Sequence, residues 1–235
     1  MRKRCLLTLT LVALAAATGV AAVANVANVP PAPASVGNVL DRFLAADEQP
    51  LVSYRASRHI SATTRGGKMS ASLDAVTSLD PQRGFTYEIT KSDGSSLIQN
   101  RVLLKALEAE KDAVESTNKA QSALTPANYE FLDISPMANR MVRIDVRPRR
   151  KHMMLINGHL VVESASADLV RLEGDLSQRP SFWTRHVHVI REYDRIGGVH
   201  VPVKMESTAD VLIVGNSTFS MDYRYDEING RSIRQ

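Results

Sequence analysis

Arg140-Met-Val-Arg-Ile-Asp-Val-Arg147 is the stretch whose reading decides the fold. Val142, Ile144 and Val146 fall on one side of an extended chain, and Arg143, Asp145 and Arg147 on the other. A period of two marks a strand with one dry and one wet face. Downstream, Met153–Ile156 and His159–Val162 flank Asn157-Gly158. Asn-Gly between apolar runs predicts a hairpin turn of type I′, because both residues tolerate positive φ. Asp168–Leu176, Thr184–Arg195, Val199–Val214 and Ser217–Asp226 read as further strands, with Gly197-Gly198 and Gly215-Asn216 at the reversals. The second half of the chain is expected to be an antiparallel meander.

Upstream, residues 116–128 lead into a strand around Tyr129–Ile134. The longest helix precedes this loop. Ser96-Leu-Ile-Gln99 fits a capping box, in which each side chain covers a free backbone N–H of the first turn. Ile98, Val102, Leu103, Ala106, Leu107, Ala113 and Val114 form one apolar stripe, while Asn100, Arg101, Lys105, Glu108, Lys111, Asp112 and Glu115 face water. Tyr54–Thr64, Lys68–Leu79 and Gly84–Lys91 read as three earlier strands, punctuated by Arg65-Gly-Gly67 and Asp80–Gly84. A first helix is expected from Ser35 as N-cap, with Val36, Val39, Leu40 and Phe43 at helical spacing, ending before Pro50.

Residues 1–24 carry Arg2-Lys-Arg4, then an uncharged run, then small residues at Ala22 and Ala24. That order describes a secretory signal peptide cut after Ala24, with an uncleaved membrane anchor as the rival reading. Cys5 precedes the apolar run, so no lipid anchor is implied. Residues 25–34 form a Pro/Ala-rich tether, and 35–235 a single domain. Without the signal, 29 basic against 25 acidic residues becomes 26 against 25, which removes the charge argument for a nucleic-acid partner. It also leaves no cysteine, and hence no disulfide or thiol chemistry. The expected location is periplasmic or secreted.

Few residues offer chemistry. His186-x-His188 share a strand face and could hold one metal ion. The nearest third histidine, His200, lies about 20 Å away along the strand by its turn register, which leaves only a carboxylate such as Glu206. No metal and no cofactor are therefore expected. Arg147-Pro-Arg-Arg-Lys-His152 could touch phosphate or an anionic headgroup, but its place between two strands predicts a solvated turn. Phe182 and Trp183 read as a core plug. No nucleophile elbow, phosphate loop, zinc-protease helix or dinucleotide fingerprint is present. A non-enzyme is expected.

Covering the sheet carries more information. About ten strands at ~4.8 Å spacing span ~48 Å, and two helices of ~10 Å diameter shield less than half of one face. Such a sheet curls, and its interior is either filled by side chains or left as an apolar cavity.

A signal peptide, a short helix, three strands, a helix near Leu97–Glu115 and a long meander together resemble the LolA/LolB-like superfamily. This group comprises periplasmic lipoprotein-sorting carriers and receptors and the RseB/MucB-type sensor domains. The segments carrying the resemblance are Asn128–Phe131, Val146–Pro148, Ile156–Gly158, Pro180–Trp183 and Tyr193–Pro202. The long helix after the third strand departs from the sorting carrier, and no lid-locking residue of the carrier matches a position here. The resemblance implies a strongly curved antiparallel sheet, a half-open barrel, with two helices over its concave side. It further implies binding of lipid or lipoprotein acyl chains in that face, with peripheral membrane contact; strand alternation and the helix stripe, not the resemblance, name Leu103, Leu107, Val142, Ile144 and Val146 as the residues lining it. The alternative is a periplasmic sensor domain contacting another envelope protein.

Overall fold

Strand register organises the molecule, whose computed structural model describes residues 38–115, 122–182, 184–212 and 215–233. The strands are β1 (Tyr54–Thr64), β2 (Met69–Asp80), β3 (Gly84–Gly94), β4 (Tyr129–Pro136), β5 (Met141–Pro148) and β6 (Ile156–Glu163). They continue with β7 (Leu169–Leu176), β8 (Thr184–Ile196), β9 (Val199–Val211), β10 (Gly215–Ile228) and the two-residue β11 (Arg231–Ser232). All pairings are antiparallel, in the order β3-β2-β1-β10-β9-β8-β7-β6-β5-β4, with β11 beside β10. The meander runs β4 to β10, and β1 then adds to β10 with β2 and β3 beyond it. The two ends, β3 and β4, do not pair. The result is a curved, half-open antiparallel barrel with helices on its concave side.

One row of partners crosses the whole sheet: Ser92, Leu73, Ile60, Met221, Met205, Arg191, Leu172, Leu160, Ile144 and Ile134. Directly opposed residues of antiparallel strands share a face, so this row lies on the concave side. Leu73, Ile60, Met221, Leu160 and Ile144 are at most 2% exposed. The alternation read in Arg140–Arg147 holds: Val142, Ile144 and Val146 are buried, with Met141, Arg143 and Asp145 half-buried and Arg147 exposed.

α1 (Val39–Ala45) is short and carries Asn38 at its N-cap. The expected Ser35 cap, the signal segment and the tether lie outside the described residues. The second helical segment follows β3 as α2 (Ser96–Ile98), a π turn (Gln99–Leu103) and α3 (Leu104–Glu115). Its main contacts are with β1, β2 and β3.

Four local readings change. Asn157 and Gly158 lie inside β6, paired with Asp175 and Gly174, and are not a turn. A Cβ on Gly158 would lie 2.0 Å from the Glu173 carbonyl oxygen, so this glycine permits close approach of two backbones. The chain reverses earlier, at Met153-Met154. The capping box does not form either. Ser95 is the N-cap, its N–H donating to the Ser70 carbonyl (2.9 Å), and the Gln99 amide reaches the Gly94 carbonyl (3.5 Å). The β2 backbone thus takes up the donor that a cap would have served. Gly215, expected at a reversal, opens β10 opposite Val211. Phe182, expected in the core, is 84% exposed, and Trp183 lies outside the described residues.

Candidate functional site

Strand parity puts one arginine into the apolar phase of β1. Ala56, Arg58, Ile60 and Ala62 alternate inward, and Arg58 is 3% exposed. The helix supplies its counterpart: Glu110 lies one turn beyond Ala106 and Leu107 and is 7% exposed. The Arg58 guanidinium grips the Glu110 carboxylate with both outer nitrogens, Nη1 to Oε2 and Nη2 to Oε1 (2.8 Å). Arg58 Nη2 also donates to the Tyr54 hydroxyl (2.7 Å), which in turn donates to Glu110 Oε1 (3.2 Å). The guanidinium carbon stands 4.6 Å from the Tyr223 ring centroid and 5.4 Å from that of Phe85. Bidentate pairing and aromatic faces are what a desolvated arginine requires.

The electrostatics follow from this geometry. Burial works to lower the Arg58 pKa, and the charge and hydrogen bonds of Glu110 outweigh it, leaving the group raised. Burial, seconded by Glu110, drives the Tyr54 phenol far above its ordinary value. Tyr223 is pushed up to about 12, mainly by burial. These phenols are therefore hydroxyl groups at any physiological pH. The cluster ties α3 to the sheet at one charged point.

The expected lining residues gather in one apolar cluster. Leu103 ends the π turn, Leu107 belongs to α3, and Val142, Ile144 and Val146 belong to β5. Each is at most 2% exposed, so a ligand would reach them by displacing packed side chains or the helical segment.

On the convex face the histidines find a different third partner. Asp175 Oδ1 lies 2.9 Å from both His186 Nε2 and His188 Nδ1. The three donor atoms lie within 4.8 Å of one another. Glu206 instead pairs with Lys204 (2.9 Å). His200 stands opposite Arg195, as its turn register predicts, and stacks on Tyr193 at 5.2 Å. Of the basic cluster, Arg147 and Arg149 pair with Glu130, and Arg150 donates to the Asn128 side chain (2.6 Å). This is the solvated strand connection that its position suggested.

No family model matches the sequence, and neither does any curated protein. Among solved structures, the chain is similar to a LolA superfamily protein, NE2245 from Nitrosomonas europaea. That likeness has 11% identity over 85% of this chain and 94% of the other, with a TM-score of 0.37. A DUF1329 family protein from Desulfovibrio piger gives 10% identity, 84% and 93% coverage, and a TM-score of 0.35. A likeness of this degree says nothing of ligand or activity, which rest on the chain's own residues.

Sequence reasoning missed Arg58 and Glu110. The signal for Arg58 was a charge in the dry phase of a strand, between Ala56 and Ile60. Glu110 gave a weaker one, lying three and four residues after the apolar Leu107 and Ala106.

Proposed function

We propose that the protein is an exported, non-enzymatic binder of apolar chains, those of lipids or of lipoproteins, held against the concave face. The supporting observation is the row from Leu73 to Ile134, which is apolar across the sheet except at Arg191, while the helical segment contacts mainly β1 to β3. An open sheet with such a face can admit a chain by moving its cover, without breaking strand pairing. Apolar chains would then replace the side chains now packed around Leu103, Leu107, Val142, Ile144 and Val146. The Arg58–Glu110 pair would act as the latch of that cover. Among the described residues, no helix is long and apolar enough to cross a membrane.

The test is chemical. Organic extracts of the purified protein, analysed by mass spectrometry, should contain lipid in roughly stoichiometric amount, and stripped protein should bind a fluorescent lipid probe saturably. Extracts free of lipid together with no saturable binding would end this reading.

A further inference from the structure

Arg191 is a buried charge without an ion-pair partner among the described residues. It sits on β8 in the inward phase with Val189 and Tyr193, opposite Met205 on β9 and Leu172 on β7. It is 5% exposed, and its Nε, like that of Arg58, is buried without a hydrogen-bond partner. Among the described residues no carboxylate pairs with it, whereas Arg58 on the same face has one. A guanidinium cannot shed its charge as a buried lysine can, so its desolvation calls for an anion, hydrogen-bond acceptors or aromatic faces. Its positive charge reaches Tyr129 and Tyr223, opposing in both the upward push of burial. Tyr129 belongs to β4, four strands away in the sheet, and is packed in the same buried core as Val189 and Tyr193 of β8. The hydroxyl of Tyr129 is held in place as acceptor from the Ile156 N–H (3.2 Å).

We propose that Arg191 is the anion-binding residue of the concave face, taking the negatively charged head of an amphiphile whose hydrocarbon chain lies along the neighbouring apolar row. The inference rests on the apolar-chain reading and sharpens it, because a neutral chain has no use for this residue. Carboxylate and phosphate monoester both suit the guanidinium fork, which binds either with two parallel hydrogen bonds. Met205 and Met221, next along the row, are unbranched and adapt to chains of varied outline.

The experiment compares a charged probe with its neutral twin. Dansyl-undecanoic acid and its methyl ester are titrated into wild type, Arg191→Met and Arg191→Lys, each checked for folding by circular dichroism and thermal melting. Wild type should bind the acid about tenfold or more tighter than the ester, the usual gain from charged hydrogen bonds made away from water. Arg191→Met should lose that preference and keep the ester affinity. Arg191→Lys should keep part of it, as a point charge without the fork. Laurate, dodecyl phosphate and inorganic phosphate then compete against the acid. The better of the two amphiphiles names the head, and inorganic phosphate alone should not compete. Equal binding of acid and ester by wild type would overturn the proposal while leaving the apolar-chain reading intact. So would a preference that survives in Arg191→Met, or competition by inorganic phosphate as good as by dodecyl phosphate. Binding of neither probe would overturn both. Should Arg191→Met fail to fold, the wild-type comparison and Arg191→Lys decide alone.

Discussion

The two faces of one sheet carry opposite chemistry one residue apart. The concave row from Leu73 to Ile134 is apolar at every position but Arg191. The row one residue along runs Ser72, Ser61, Ser220, Glu206, Ile190, Glu173, His159 and Asp145, polar at every position but Ile190. Charges occur on both faces, and their weight differs. On the convex side Arg143–Asp145 and Arg171–Glu173 are partly solvated pairs within one strand (2.8 Å each). On the concave side Arg58 and Arg191 have lost nearly all their water, so each must be matched by a partner or carry a cost. Arg58 is matched within the fold. The difference teaches that counting charges on this sheet means little until each is assigned a face.

The largest expected effect breaks the buried pair. Glu110→Gln leaves Arg58 without its counter-ion and should cost about 3–5 kcal/mol in urea unfolding. The double change Arg58→Met with Glu110→Leu should recover most of that loss, since two apolar groups leave no orphaned charge. Arg143→Ala on the convex face, which removes a single, partly solvated contact from Nε to Asp145 Oδ1, should cost at most about 1 kcal/mol. Equal costs for Glu110→Gln and Arg143→Ala would erase the distinction between the faces.

Much of this contrast was legible before the structure, and its gaps have physical causes. Alternation in Arg140–Arg147 located the concave residues Val142, Ile144 and Val146, because a period of two has one geometric solution on a sheet. The Gly197-Gly198 reversal was equally readable, and with it the Arg195–His200 register. Asn157-Gly158 misled because a glycine needed for close approach of two strands looks the same in sequence as one needed for positive φ. Asp175 was invisible as the partner of His186 and His188, since it comes from the neighbouring strand and only register places it there. Arg58 and Arg191 were readable in principle: both interrupt a dry phase, among Ala56, Ile60 and Ala62 in one case, and Val187, Val189 and Tyr193 in the other. Their different fates were not readable, because whether a buried charge meets a carboxylate depends on where a helix lands.

A middle-sized effect probes the concave packing itself. Val146 is 2% exposed. Val146→Phe should therefore cost ~1–3 kcal/mol by overpacking. The same variant should take up a lipid probe less well than wild type if chains occupy this region. Strong destabilisation together with a wild type that shows no saturable binding would move the function away from the concave face and toward a sensor domain that contacts another envelope protein.

A smaller effect belongs to His159, on the polar row. Burial, then the positive Arg143, hold its pKa below the ordinary value. The folded protein thus takes up this proton less readily than the unfolded chain. Stability should fall as pH drops through the ordinary histidine range, around 6.5, and the loss should be complete only below the depressed folded value. His159→Gln should flatten the slope of stability against pH between about 7.5 and 5.5. An unchanged slope would assign His159 no part in acid sensitivity.

The smallest expected effect is none at all, and it concerns the convex group of Asp175, His186 and His188. Three donor atoms within 4.8 Å could in principle close on a zinc ion. Tetrahedral ligands at bond lengths of ~2.0–2.1 Å stand roughly 3.3–3.4 Å apart. Here one carboxylate oxygen is already 2.9 Å from a nitrogen of each ring, the spacing of direct hydrogen bonds. The His186, His188 and Asp175 side chains are also 56%, 37% and 43% exposed, so water competes for every ligand position. Thermal unfolding with and without a strong chelator should coincide, because a structural metal would contribute several kcal/mol that chelation removes. A midpoint that falls with chelator and returns with zinc would overturn this. It would also give the convex face a strong, localised interaction comparable with that of Arg58 and Glu110 on the concave face.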